Sequence, residues 1–561
     1  MKKLILAAFT LMLSTGLSQG VHASYWAKTY GTSGYDTPNT LQQAADGGFV
    51  VAGIIDWFGV NNGDIWVLKL DSNGNVGPSY PGTWQKSYGT SIEDMPDYIR
   101  QTADGGYIIA GRTGSYVPNK GNVYRFWILK LDSSGAIIWQ KTYGGTNSDY
   151  PFCVQQTADG GYIVGGVTNS FGKGAGDIWL LKLDSNGNII WEKAYGGTGD
   201  EKFYTVQQTS DNGYIVSGAT TSSGQGSYDY LVLKLDSAGV ITWQKTYGGS
   251  GEDIAYQIQQ TSDGGYVVNG YTRSFNVGGG MDFWVLKLTS TGGITWQKTY
   301  GGNGFDLGYS VQQTTDGGYI LAGLTTSYGT SGDYDFLVIK LDANGNNTWQ
   351  KTYGSTGQEP ARPIIQATDG GYVVAGYTTS FGTAGDFLVV KVDANGDIPQ
   401  CNLIHSVSLT VSNTSVAAVT SSLLSTVSTA TVANTTVTPI DTNATVLTQC
   451  EPPTLIELSG FEAVPASRKV TVQWTTASEI DNAGFNIYRS ESENGVYVKI
   501  NNALIPAEGS PSQGAAYEFT DTGVQNRNAY FYKLEDIDMN GVSVLHGPVS
   551  AKPRWILGLG K

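Results

Sequence analysis

The residues best placed to do chemistry in this chain are acids that recur. Asp36, Asp94, Asp149, Glu201, Asp253, Asp306 and Glu359 each stand six residues after the tyrosine of a repeated Trp-x-Lys-x-Tyr stretch. A second series, Asp64, Asp177, Asp229, Asp282, Asp335 and Asp386, stands five residues before a repeated lysine, with Arg125 in the corresponding place of the second repeat. Like charges brought together cost free energy unless cations, lysines or N–H donors offset them. Two chemistries follow. Each carboxylate can cap the backbone of its own loop or pair with a repeat lysine such as Lys69 or Lys351. Alternatively the first series forms a Ca²⁺-binding face, since Ca²⁺ takes hard oxygen ligands, although the spacing matches no EF-hand loop.

Catalytic chemistry is poorly supplied. The only histidines are His22, His405 and His546, so no Ser-His-Asp or Cys-His arrangement can be built among the repeats. The remaining enzymatic option is polysaccharide cleavage by paired carboxylates, Glu252 with Asp253 or Asp200 with Glu201. Neighbours on a strand point to opposite faces, so such a pair needs a partner from another repeat. A formal net charge of −15 excludes non-specific nucleic-acid binding, which requires a basic footprint.

The elements that position these acids repeat seven times. An Asp-Gly-Gly turn (once Asp-Asn-Gly) begins at Asp46, Asp104, Asp159, Asp211, Asp263, Asp316 and Asp369, at intervals of 52 to 58 residues. A period of that size marks a propeller, solenoid or array. Each unit contains four short runs that alternate apolar and polar residues, such as YSVQQT, GYILAGLT, DFLVIKLD and NTWQKTYG, here strands a to d. The turns between a and b and between c and d place Gly or Asn where φ must be positive. The unit is therefore a four-stranded antiparallel meander.

The first Trp-x-Lys-x-Tyr stretch, at Trp26, precedes any a–b–c set, and the last set has none after it. The N-terminal strand should complete the seventh unit, because an open array would leave strand edges exposed at both ends. The fold class expected is all-β: a seven-bladed β-propeller over residues 24–399. Within it the b–c loops differ most between repeats. Their aromatics, Trp57, Phe58, Tyr116, Phe171, Phe275, Tyr328 and Phe381, are the expected ligand-contact surface. The c–d turn, with its following tryptophan, reads as packing between blades.

Residues 1–23 have two lysines, an apolar run and a small-residue site ending at Ala23, the pattern of a signal peptide. Residues 400–451 are Ser/Thr/Val/Ala-rich with almost no charge, and read as a stalk or linker. Cys401 and Cys450 bracket that tract and are expected to form a disulfide. Cys153 reads as a buried free thiol. From Pro452 to Lys561 alternation returns in about seven short runs, a β-sandwich pattern.

That last segment resembles a fibronectin type III-like module, with Trp474 in its second strand and Tyr530 in AYFYKLEDIDMNG as the corner tyrosine. It has no Arg-Gly-Asp, so integrin-style recognition does not carry over. The propeller repeats, T-x-DGGY…G-x-T followed by KLD…GN-x-x-W, resemble those of secreted bacterial proteins; the likeness implies the fold. The c–d turn also resembles the docking repeats of quinoprotein propellers and the sialidase Asp-box. It departs from the first by one residue fewer and from the second by one more. The vicinal cysteines of the one family and the arginine triad of the other are missing. The sequence thus points to an exported, non-enzymatic binding or adhesion protein at the cell surface or in the extracellular matrix. Its expected partner is a polysaccharide or a protein, without membrane insertion. A polysaccharide-active enzyme and a purely structural envelope component are the alternatives.

Overall fold

The turns set the repeat. In a–b turns the first glycine has a positive φ, +80° at Gly264 for example, and Asn212 takes the same place at +63°. The turn aspartate holds this geometry. Asp263 Oδ1 accepts from the Gly265 N–H at 3.0 Å and from the Thr261 hydroxyl at 2.6 Å, and its carboxylate pairs with Lys287 of strand c at 2.8 Å. The lysine is nearly buried and also donates to the Leu288 carbonyl at 3.1 Å. The repeated Thr, Asp and Lys are thus one structural triad.

The structure is a computed structural model that describes residues 25–554 apart from short stretches, the longest being 58–62, 330–332, 451–455, 510–512 and 539–542. The signal-peptide expectation for residues 1–23 lies outside the described residues. Two compact units are present, divided between Glu451 and Pro452. Every assigned element is a β-strand, and no helix is long and apolar enough to cross a membrane among the described residues.

The first unit contains seven antiparallel sheets. In sheet 5, strands a to d are Asp253–Gln260, Tyr266–Thr272, Asp282–Leu288 and Ile294–Gly301. Sheets 1 to 4 and 6 repeat the plan over residues 37–88, 94–144, 149–196, 201–247 and 306–353. Sheet 7 is composite. Its strands a to c are Ala361–Gln366, Tyr372–Thr378 and Asp386–Val392, and its strand d is the N-terminal Trp26–Gly31, paired with strand c from Trp26 opposite Lys391 to Tyr30 opposite Phe387.

Each sheet grips the next by one device. The strand d tyrosine donates its hydroxyl to the glycine carbonyl of the following c–d turn: Tyr30 to Gly74, Tyr88 to Gly135, Tyr143 to Gly187, Tyr195 to Gly239, Tyr247 to Gly292, Tyr300 to Gly345 and Tyr353 to Gly396, all at 2.6–2.9 Å. The strand d tryptophan lies over the same glycine. A Cβ on Gly187 would meet the Trp139 ring at 2.9 Å, so no larger residue fits. Apolar clusters fill the space between successive sheets. One of them joins Val373, Val389 and Phe387 of sheet 7 to Phe49, Val51 and Trp66 of sheet 1.

The Ser/Thr-rich tract corrects the expectation of a stalk. It supplies a fifth strand to every sheet, taken in reverse order: Ile404–Ser406 on sheet 6, Thr410–Asn413 on 5, Val419–Thr420 on 4, Leu424–Val427 on 3, Thr431–Asn434 on 2, Ile440–Asp441 on 1 and Thr445–Cys450 on 7. Strand d would otherwise present an unpaired edge. The tract also satisfies buried donors beneath it. Trp66, Trp127 and Trp284 give their indole N–H to Thr442, Thr435 and Thr414 at 2.9–3.1 Å. Gln140 and Gln297 of strand d bond the Val437 and Val416 carbonyls at 2.8 and 2.9 Å. Leu409, Val416, Leu423, Ala430 and Val437, every seventh residue, each enter the apolar cluster between two sheets. A disulfide joins Cys401 to Cys450, with Cα atoms 5.5 Å apart, so the tract is a covalent loop running past all seven sheets.

The second unit is a sandwich. Ile456–Ala466, Lys469–Glu479 and Ala516–Asp521 form one sheet; Val498–Lys499, Asn482–Ser490, Tyr530–Asp538 and Ser543–Ala551 form the other, with Ile505–Pro506 beside it. Trp474, Phe485, Ile487 and Tyr532 fill its core. The Tyr530 hydroxyl accepts from the Gln525 N–H at 3.0 Å, tying the strand back to the chain before it.

Candidate functional site

All seven acids of the first series, Asp36, Asp94, Asp149, Glu201, Asp253, Asp306 and Glu359, are fully buried. Each accepts from a backbone N–H four residues earlier, such as Gly249 to Asp253 at 2.8 Å and Gly302 to Asp306 at 2.8 Å. Hydroxyls at the end of strand b complete the shell: Thr272 and Ser274 on Asp253, Thr325 and Ser327 on Asp306, Thr220 on Glu201. These side chains cap the d–a loops from beneath and do not form an open face. Among the described residues no three or more His, Cys, Asp or Glu side chains are grouped to share a metal ion.

The second series packs against the first. A Cβ on Gly196 would stand 1.5 Å from Asp177 Oδ1 and 2.7 Å from Glu201 Oε2, so this glycine makes room for two carboxyl groups. Gly248 does the same for Asp229 and Asp253. Asp64 Oδ1, Asp177 Oδ1, Asp229 Oδ1 and Asp386 Oδ1 are buried without a hydrogen-bond partner. Burial, then the neighbouring Asp94, pushes Asp64 up to about 6. Burial, opposed by the Gln225 N–H and aided by Asp253, does the same for Asp229, and burial with Asp36 does so for Asp386. Two close carboxyls in a low-dielectric site cannot both ionise at ordinary cost, so each pair is suited to hold a proton.

The pairs weighed for hydrolysis are not assembled. Glu201 and Asp253 face inward under their loops, whereas Asp200 accepts the Tyr228 hydroxyl and Glu252 lies 3.4 Å from Arg273.

The b–c aromatics expected at the contact surface are partly buried and take part in packing. Phe171 and Phe275 lie on Trp179 and Trp284 with ring centroids 5.2 and 5.3 Å apart. Tyr328 donates to the Gly301 carbonyl at 2.9 Å, Trp57 packs beside Tyr35, and Phe381 is half-buried. Tyr116 is the exposed member, at 70%. Phe58 lies outside the described residues. These rings fill gaps over strand c because the short loops fold back onto the sheets.

A different site lies between the a strands. A cavity of about 330 Å³ is lined by side chains from all seven sheets, among them Asn39, Tyr98, Phe152, Tyr204, Tyr256, Tyr309 and Arg362. Six of these, all but Tyr98, stand three residues after the buried acid, at a β-bulge where strand a slips register against strand b, as between Ala255 and Gln257. A bulge re-aims its extra residue, here into the cavity. Phe152, Tyr204, Tyr256 and Tyr309 make a continuous aromatic arc with successive centroids 5.8, 4.5 and 4.8 Å apart. On the remaining side Arg362 donates to Asn39 Oδ1 at 3.1 Å. An aromatic arc facing hydrogen-bonding groups can hold a flat, partly apolar, hydroxyl-bearing ring. The sequence carried a signal for this site: the position changes from Asn to Asp, Phe, Tyr and Arg while its neighbours repeat.

No family model matches. The regulatory protein FlaEY of Caulobacter vibrioides is 27% identical over 225 residues, 33% of this chain and 24% of its own length. An amylopullulanase of Thermoanaerobacter thermohydrosulfuricus is 31% identical over 88 residues, 16% of this chain and 5% of its own. The chain thus spans about a quarter or less of these relatives. Among solved structures, an Fn3-like protein from Clostridium thermocellum is 21% identical, covering 18% of this chain and 96% of that one, with a TM-score of 0.14. A β-1,2-glucanase from Parabacteroides distasonis is 13% identical, covering 53% and 36%, with a TM-score of 0.13.

Proposed function

We propose that the seven sheets form a closed seven-bladed propeller, joined to a fibronectin type III-like module, in an exported protein that binds polysaccharide or protein at the cell surface or in the extracellular matrix. The cavity between the a strands is its ligand site. The observation that carries this reading is the arc of Phe152, Tyr204, Tyr256 and Tyr309, aromatic rings that line a cavity while three of them also pack at the edge of the core clusters. Closure is supported by the clasp from Tyr30 in the N-terminal strand to Gly74 and by the cluster shared between sheets 7 and 1. Catalysis is not part of the proposal, because the acid pairs are sealed under loops.

The test is retention of the full-length protein on a panel of immobilised polysaccharides and matrix proteins, with release of new reducing ends scored separately. Tyr256→Ala should lower retention at least tenfold without unfolding the unit, because base-free stacking on aromatic faces supplies much of such affinity. Retention equal to wild type would remove the cavity as the site, and reducing ends would favour the enzyme.

A further inference from the structure

The charged residues lining the cavity are two arginines, with Asp97 at the corresponding bulge position of sheet 2. Its lining includes Arg100 and Arg362 and, among the described residues, no Asp, Glu or Lys, in a chain of net charge −15. The first unit has five arginines, Arg100, Arg112, Arg125, Arg273 and Arg362, and two of them stand in this one wall.

Arg100 also breaks the rule of its repeat. At this position of strand a, Gln42, Gln155, Gln207, Gln259 and Gln312 each offer Oε1 to a backbone N–H of the following sheet, at 2.6–2.8 Å. Arginine has no acceptor, so sheet 2 cannot make that bond to sheet 3. A residue that forgoes a repeated structural bond and gains a charge in a cavity wall is better explained by a ligand than by the fold. Sheet 7 has Ile365 here, which adds no charge; its arginine is Arg362, at the bulge position that is aromatic in sheets 3 to 6.

Both guanidinium groups keep donors in reserve. Arg362 bonds Asn39, and Arg100 bonds the Tyr98 hydroxyl and the Ile99 carbonyl, against five N–H donors on each. Asp97 lies within electrostatic reach of Arg362 and Arg112, with one carboxylate oxygen buried and unpartnered, and Glu93 also lies 4.0 Å from Arg112. Burial pushes Asp97 up to about 7 against the pull of both arginines, so it offsets them only in part near neutral pH.

We propose that the cavity takes an anionic sugar residue, a uronic acid or similar carboxylate-bearing unit of an acidic polysaccharide, with its ring face on the Tyr204–Tyr256–Tyr309 arc and its carboxylate on the cavity guanidinium groups. This rests on the binding role proposed above and narrows its ligand. Arginine is the side chain suited to planar, bidentate carboxylate recognition. A volume of about 330 Å³ suits a small-molecule-sized group and not a folded partner. An acidic peptide would supply the carboxylate without a rigid ring for the arc.

The experiment is calorimetric titration of the full-length protein with galacturonate, glucuronate and mannuronate oligomers, each beside its methyl ester, which keeps the ring and removes the charge. At least one acid form should bind tenfold or more tighter than its ester and weaken as NaCl rises from 50 to 300 mM. Arg362→Gln and, independently, Arg100→Gln should remove that preference while ester binding persists, and Arg100→Gln, which puts back the glutamine of the other repeats, should not lower the melting temperature. Tyr256→Ala should weaken both forms. Equal affinity for acid and ester, or arginine variants that bind as wild type does, would overturn the anionic ligand and leave the binding role standing. No binding of any saccharide would remove the polysaccharide reading itself. Tighter binding of polyglutamate than of any sugar would reassign the site to acidic peptide.

Discussion

The backbone N–H of Thr368 donates to Gln43 Oε1 at 2.9 Å, although 325 residues separate the two in the chain. It is one of seven equivalent bonds. Gln101, Gln156, Gln208, Gln260, Gln313 and Gln366 each reach back to the a–b turn of the preceding sheet at 2.8–2.9 Å. Gln43 makes the same bond to the a–b turn of sheet 7.

If the proposed ring is closed in solution, deleting residues 24–31 removes strand d of sheet 7 and with it the Tyr30 clasp. The melting temperature should fall, and amide exchange should rise most across Ala361–Val392. Gln43→Ala, which takes away one junction bond, should cost about 1 kcal/mol. Exchange in sheet 7 that does not change on deletion would show that the N-terminal strand does not pair there.

Reduction of Cys401–Cys450 should loosen the outer strand of every sheet. A loop of this length contributes on the order of 4 kcal/mol by chain entropy. Cys450→Ser should therefore lower the denaturant midpoint, and limited proteolysis should cut first within 402–449. Leu423→Ala, which opens the cluster shared with Leu233 and Tyr214, should cost about 2–4 kcal/mol. Equal protease resistance with and without reductant would mean that pairing alone holds the tract.

Stability should rise on mild acidification. Asp64, Asp229 and Asp386 are pushed up to about 6 in the folded state, from an ordinary value near 4. The folded state thus holds protons that the unfolded chain has lost, and their contribution disappears as pH rises through 6. Asp104, Asp159, Asp211, Asp263 and Asp316 act oppositely. Burial raises them, but the turn threonine, the strand c lysine and a glycine N–H together bring them down to about 2, so their contribution is lost as pH falls from about 4 through 2. The melting temperature should be highest between pH 4 and 6 and lower at pH 8. Asp229→Asn should stabilise most at pH 8, by roughly 1–2 kcal/mol, less at pH 5 and least near pH 4. Millimolar Ca²⁺ should act at pH 8 only as matched ionic strength does; a Ca²⁺-specific rise would show cations bridging the pairs instead.

Cys153 should resist alkylation in the native protein. It is buried, its thiol lies 3.4 Å from the Val206 carbonyl, and burial pushes it up to about 11. The reactive thiolate is therefore scarce at pH 8. Iodoacetamide labelling should appear only with unfolding, and rapid labelling of folded protein would show that the cavity admits reagent to this wall.

Much of the architecture was legible because it repeats. Asp263, Gly264 and Gly265 mark a hairpin from local chemistry alone, since the turn needs a positive φ and a side chain that caps its N–H groups. The role of the tract at 400–451 was not legible from composition, because its pairing partners lie up to hundreds of residues away. Its seven-residue period, Leu409 to Val437, was the available signal, and it has meaning only as the step from one sheet to the next.

What the sequence determined by itself is therefore the local plan: antiparallel four-stranded units, their turns, and the N-terminal strand that the last unit lacks. Alternation of apolar residues and glycine at positive φ act within a few residues, so the chain alone specifies them. What tertiary structure decided is where the recurring side chains end. The acids looked available in the sequence and are sealed beneath loops, because Thr272, Ser274 and the Gly249 N–H meet at Asp253 only once strands a and b are paired. Tyr256 and Arg362 look like ordinary strand residues and face one cavity, because a bulge in each strand a turns them there and seven sheets must assemble before their side chains meet.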